Sequence, residues 1–250
     1  MPEFIAFTVQ PPEKPFTLIP FNTTTVIVFF TIFGVICLAE LLFALLEIEK
    51  PRKIIKPFCM LFLSLIVLLF TPLNYFFLIG ALFGMVGDIF FIFKDKKKFI
   101  LLGLASFALN HVFYILATWN VIKEQIEVIH ALFLIPFFIL FCAFSYLALE
   151  RFFNIKGLIQ IFGSLYMTVL VLDFAFQILA RLVYDSFFIY SVFGGALFII
   201  SDSILTFTLF KKDFPRRDFP IMLTYLGAQV LYYLPYFLLQ MRAVTAIIKY

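Results

Sequence analysis

Charge and histidine are what this sequence lacks. Of its 250 residues only 14% are charged, two are histidine, three are cysteine and one is tryptophan, while 64% are hydrophobic. So little charge excludes a soluble globular domain of this length, and the chain reads as an integral membrane protein. Two histidines cannot build the histidine cluster that a ceramidase-like zinc hydrolase needs, and no metal or other cofactor is expected. Cys37, Cys59 and Cys142 fall inside apolar runs without paired spacing, as packing residues do. Alternation is missing too: runs such as LFLSLIVLLF exclude a membrane β-barrel. The N-terminal stretch MPEFIAFTVQPPEKPF has neither a basic n-region nor a small-residue cleavage site, so it does not read as a signal peptide.

What the sequence does have is apolar runs of roughly 20 residues, each long enough to cross the hydrocarbon core as a helix. They occupy 24–47, 55–71, 73–93, 99–120, 128–149, 158–180, 186–210 and 219–241. The expected fold is an all-α, polytopic bundle of eight transmembrane helices forming one domain over 24–241, with an N-terminal segment 1–23 and a short C-terminal tail 242–250. The stretches between spans are at most about a dozen residues, so any chemistry must occur among the helices or at their mouths.

Of the 19 Lys and Arg, fourteen follow spans one, three, five and seven, at 50–56, 94–98, 151–156 and 211–217. The positive-inside rule makes that face cytoplasmic and puts both termini on the outer or lumenal side. Asn22-Thr23-Thr24 is a glycosylation sequon on the outer face, set against span one. No nucleic-acid partner is expected.

Asp88 interrupts the apolar run of span three, where a charge costs several kcal/mol and is rarely kept without a use. Gly80, Gly84 and Asp88 recur every four residues on one helix face, which lets a neighbouring helix approach the aspartate. Span four returns with His111 and Tyr114, three apart and on a common face. Span six carries Tyr166 and, deeper toward the outer side, Asp173, which reads as structural. In span one, Glu40 reads equally as a residue snorkelling to the interface and as a site residue. Lys56-Pro57 opens span two, with proline suited to the first turn and Lys56 at the headgroup level.

Spans seven and eight echo spans three and four. GALF precedes Gly87-Asp88 and the basic KDKKK; GALF again precedes Ser201-Asp202 and KKDFPRR. His111 follows Asp88, and Tyr225 follows Asp202, by the same 23 residues. Two hairpins crossing in one direction with polar groups at matching depth make a weak parallel repeat. At 1.5 Å per residue, Asp88 and Tyr225 lie about 9 Å, Asp202 about 12 Å, Gln229 about 15 Å and His111 about 18 Å from the basic ends of their helices. Side chains of four helices at one depth can line a single cavity. Two carboxylates sharing it do not both ionise readily, which supplies one acid and one base.

Other two-residue chemistries fit poorly. A Ser–His protease wants its serine in a glycine-rich turn facing a histidine, which Ser201 beside Asp202 does not offer. GMVGD at 84–88 misses the GxGD of intramembrane aspartyl proteases by one residue, Tyr184-Asp185 lies in a downstream loop, and no PAL sequence follows.

In order over spans three, four, seven and eight, GxxxGMVGD, GLxSFxxxHxxY, GALFxxSD and TYxxAQ resemble the lysoplasmalogenase family of YhhN-like membrane proteins. With Lys56-Pro57 the resemblance covers roughly residues 50 to 240. It implies hydrolysis of the vinyl ether bond of a lysoplasmalogen, a lysophospholipid substrate, to a fatty aldehyde and a glycerophospho-base. Carried over residue by residue, it implies Asp88 and Asp202 as catalytic, with Lys56, His111, Tyr114, Tyr166, Ser201, Tyr225 and Gln229 binding or supporting. It further implies the cytoplasmic membrane of a bacterium or the endoplasmic reticulum of a eukaryote. Leu226 departs from the second tyrosine that many relatives carry there. The rival reading of the same residues is a transporter or lipid-binding protein whose aspartates take up protons or cations.

Overall fold

A computed structural model describes residues 23–71, 74–126 and 134–248. The expected N-terminal segment up to residue 22, Asn22 of the sequon with it, lies outside these residues. Among the described residues the chain is helical without strands: α1 (Thr23–Leu45), α2 (Glu49–Phe70), α3 (Tyr75–Ile92), α4 (Lys97–Ile122), α5 (Leu134–Phe153), α6 (Leu158–Val183), a 3-10 turn (Ser186–Phe188), α7 (Ile189–Phe210) and α8 (Asp218–Ile248). All but α5 are long and apolar enough to cross a membrane. The fifth expected span, 128–149, corresponds to α5, 20 residues from Leu134 onward, with residues 127–133 outside those described. The protein is a polytopic helical bundle.

Helix ends follow local chemistry. Asn74 caps α3 by accepting from Phe77 N–H at 3.3 Å. Between α5 and α6, Asn154 and Gly157 adopt φ of 54° and 72°, the left-handed region that asparagine and glycine tolerate best. Asp185 caps the 3-10 turn and also holds Arg242 Nη1 at 2.6 Å, which carries α8 past the expected end at 241 to Ile248.

The start of α2 corrects the sequence reading. The helix opens at Glu49, six residues before the expected span, with Pro51 in its first turn and the Glu49–Lys53 pair, 2.7 Å apart, spanning it. Pro57 is therefore an internal proline, and Lys56 lies inside the bundle rather than at the headgroup level. Glu40 is corrected likewise: it is fully buried instead of snorkelling, 3.7 Å from Arg52.

Helix packing closes on itself. α1 packs on α2, α2 on α3, α3 on α4, α4 on α6, α6 on α7, α7 on α8 and α8 on α1, with α5 against α6. Large apolar side chains such as Val35, Leu140, Leu147 and Leu182 stay exposed on the outside, as a lipid-facing surface requires.

The two hairpins, α3–α4 and α7–α8, share a register. Gly80 faces the Tyr114 ring, and Gly194 faces the Ala228 carbonyl, 34 residues on in each case. One turn or two nearer the basic end, Gly87 packs on Phe107 and Ser201 donates to the Ile221 carbonyl at 3.1 Å, 20 residues on in each case. The contact register thus pairs Gly80 with Gly194, one residue before the glycine of the second GALF.

A candidate active site between two aspartates

A cavity of about 260 Å³ opens at the basic end of the bundle, between the ends of α2, α3, α7 and α8. Asp88, Ser201, Asp202 and Tyr225 line its inner part, and Lys56 reaches into it from α2. Asp88 is 1% exposed. Its Oδ1 lies 3.1 Å from Lys56 Nζ and its Oδ2 accepts from the Tyr225 hydroxyl at 2.9 Å. The ammonium and the phenol hold this buried carboxyl group from two sides, with little freedom to move.

Asp202 is held differently. Its Oδ2 accepts from the Tyr166 hydroxyl of α6, and among the described residues no cation lies within 4 Å of it. It also lines a second, apolar groove of about 40 Å³, walled by Leu104 and Phe107 of α4, Ile159, Gly163 and Tyr166 of α6, and Leu209 of α7. Phe91, Phe107, Asp202 and Leu205 belong to both spaces. A polar pocket and an apolar groove therefore meet at one carboxyl group.

The remaining expected residues lie behind this front. His111, Tyr114 and Gln229 are fully buried and line neither space. The Tyr114 hydroxyl donates to Gln229 Oε1 at 2.5 Å, and its ring stacks on Phe77 with centroids 4.3 Å apart. Ser201 spends its hydroxyl on the Ile221 carbonyl, which ties α7 to α8.

His111 has a partner that spacing could not give. Its Nδ1 lies 2.8 Å from Asp173 Oδ2, while Asp173 Oδ1 accepts from Gln177 Nε2 at 2.9 Å. Gln177 also donates to Thr118, whose hydroxyl meets that of Tyr236 at 2.9 Å. Asp173 thus joins His111 to a buried polar chain across α4, α6 and α8. Only the Asp173–Gln177 step, four residues apart on one helix face, was legible beforehand.

The mouth of the cavity carries Glu49, Arg52, Lys53, Lys94, Asp95, Arg217 and Asp218. Of these, only the basic character of the hairpins was expected. Arg52 bridges inward to Glu40 and outward to Asp218 at 2.9 Å. Glu47 accepts from Arg216 N–H at 2.7 Å, which fastens the α7–α8 connection to the α1–α2 turn. Burial holds the Lys94 ammonium below the usual lysine range.

With two carboxyl groups in a polar pocket, one of them at its meeting with an apolar groove, the arrangement suits acid–base chemistry on an amphipathic molecule. Residues 52–235 match the YhhN family. The chain belongs to the YhhN family. This is the family of lysoplasmalogenases, so the chain is a lysoplasmalogenase-like, multi-pass membrane protein. No curated protein and no solved structure matches it. The matched stretch of this YhhN chain begins at Arg52 and ends at Pro235, taking in the whole α3–α4 hairpin, α7, α8 as far as Pro235, and the lysine that contacts Asp88.

Proposed function

We propose that this YhhN protein hydrolyses the vinyl ether bond of lysoplasmalogens, releasing a fatty aldehyde and a glycerophospho-base. The observation that carries this reading is Asp202, shared between a polar pocket that also holds Asp88 and an apolar groove between α4, α6 and α7. A single-chain ether lipid has that division of polarity, with its reactive bond at the boundary. Its site is on the basic side of the membrane, which the positive-inside rule makes cytoplasmic.

The unequal surroundings of the two aspartates support different roles for them. Asp202, bonded by Tyr166 and without a cation beside it, is the proton donor. It protonates the alkene carbon that becomes the aldehyde's α-carbon, leaving an oxocarbenium ion on the carbon bonded to oxygen. Asp88, charged beside Lys56, stabilises that cation and takes a proton from the attacking water. The resulting hemiacetal then collapses. Asp88 returns its proton to the departing glycerol oxygen, Asp202 accepts the proton of the hemiacetal hydroxyl, the C–O bond breaks and both groups are reset. Tyr166 and Tyr225 hold the two carboxyls in place.

The test is aldehyde release from a lysoplasmalogen by the purified protein, with the saturated alkyl-ether lysolipid as control. Aldehyde from the vinyl ether alone supports the reading, and full activity of either Asp88→Asn or Asp202→Asn removes that residue from it. No aldehyde from folded protein sinks the hydrolase and turns attention to proton-coupled or cation-coupled lipid movement, measured as flux.

A further inference from the structure

The five cations lining the cavity are not equivalent. Lys56 is committed to Asp88, Lys53 to Glu49 at 2.7 Å, Arg52 to Asp218 at 2.9 Å, and Arg217 to Asp213 at 2.5 Å. Lys94, in the turn after α3, is half-buried and has no carboxylate within 4 Å among the described residues. An ammonium withdrawn from water with no carboxylate in contact, and only Asp218 drawing it from farther off, is costly unless an anion comes to it. Arg217 and Arg52, with Lys56 deeper in, add positive charge around it, against Asp218, Glu49 and Asp95 at the same mouth.

We infer that Lys94, flanked by Arg52 and Arg217, is an anion subsite that takes the phosphate of the substrate's headgroup. The inference rests on the hydrolase reading and adds a residue that sets the depth at which the lipid sits. Asp88 is four residues from Ile92, the end of α3, which is about 6 Å of helix rise. That is close to the length of a glycerol backbone with its phosphate. A phosphate held at Lys94 therefore leaves the ether oxygen level with the aspartates and the hydrocarbon chain at the groove beside Leu104 and Phe107. Lys56 is already engaged by Asp88.

The experiment compares wild type, Lys94→Gln, Lys94→Arg and the exposed-site control Lys98→Gln on two vinyl ethers, a lysoplasmalogen and the 1-alkenylglycerol that lacks the phosphate. Lys94→Gln is expected to raise KM for the phospholipid about tenfold, the scale of one lost charged contact. Expected with it are an unchanged kcat, no effect on the alkenylglycerol and recovery in Lys94→Arg. Competitive inhibition by inorganic phosphate, weakened in Lys94→Gln, would show that the subsite also takes the free ion; inhibition by glycerophosphoethanolamine alone would restrict it to the headgroup. Equal losses on both substrates, or none on the phospholipid, overturn the subsite. If wild type turns over neither substrate, the hydrolase reading has failed separately. The subsite is then decided by the rise in melting temperature that lysophospholipid gives wild type and Lys94→Gln: a smaller rise in the variant supports it and equal rises overturn it.

Discussion

Lys56 of α2 and Asp88 of α3 meet at 3.1 Å inside the bundle, with the aspartate 1% exposed. Removing one partner strands the other's charge in a poorly solvated place, whereas removing both does not. Lys56→Met is expected to lower stability by about 3–5 kcal/mol, and Lys56→Met/Asp88→Asn to regain most of it. Denaturation in mixed detergent measures both. Neither protein should release aldehyde: the double variant lacks the Asp88 carboxyl group, and Lys56→Met leaves it without the ammonium that positions it.

His111 and Asp173 form another buried pair, 2.8 Å apart, and line neither space. Asp173→Asn keeps the shape but loses the charged acceptor, at a cost of about 1–3 kcal/mol. Activity per folded molecule should stay within a few-fold of wild type, against a loss of about 10²–10⁴ for Asp202→Asn. A large fall in kcat for Asp173→Asn at unchanged stability would give the pair a part in the proton transfers.

The shared register of the two hairpins is testable through its glycines. A Cβ at Gly80 would come within 2.7 Å of the Tyr114 ring, which is pinned by Phe77 and Gln229; one at Gly194 would come within 3.0 Å of the Ala228 carbonyl. Gly80→Ala and Gly194→Ala should each cost about 1–3 kcal/mol. Gly34→Ala, where a Cβ meets nothing within 4 Å, should be tolerated in the same melting experiment.

Phosphate recognition by Lys94 has a sign with pH. Burial holds this ammonium below the usual lysine range, with Arg217, Lys56 and Arg52 pushing the same way and Asp218 opposing. Anion binding is present while the group is protonated and is lost as pH rises through its lowered value. KM for the phospholipid should therefore climb at a lower pH than the roughly 10.4 of an ordinary lysine. The 1-alkenylglycerol should lack that rise, and Lys94→Gln should abolish it.

Much of this was written in the linear sequence because a bilayer constrains a chain so strongly. Long apolar runs fixed the helices near their observed places, since each spanning segment must satisfy its own backbone, and a charge inside such a run marked Asp88 and Asp202. The equal 23-residue spacings placed both hairpins in one register for the same reason: depth is counted in residues. What the sequence by itself did not determine was who meets whom. Pro57 read as a helix start hid Lys56 inside the bundle, and Asp173 lies 62 residues from the histidine it holds. Nor did spacing distinguish Lys94 from its paired neighbours at the mouth. Those relationships depend on which helix faces which, set by packing between distant segments, and only the tertiary structure decided them.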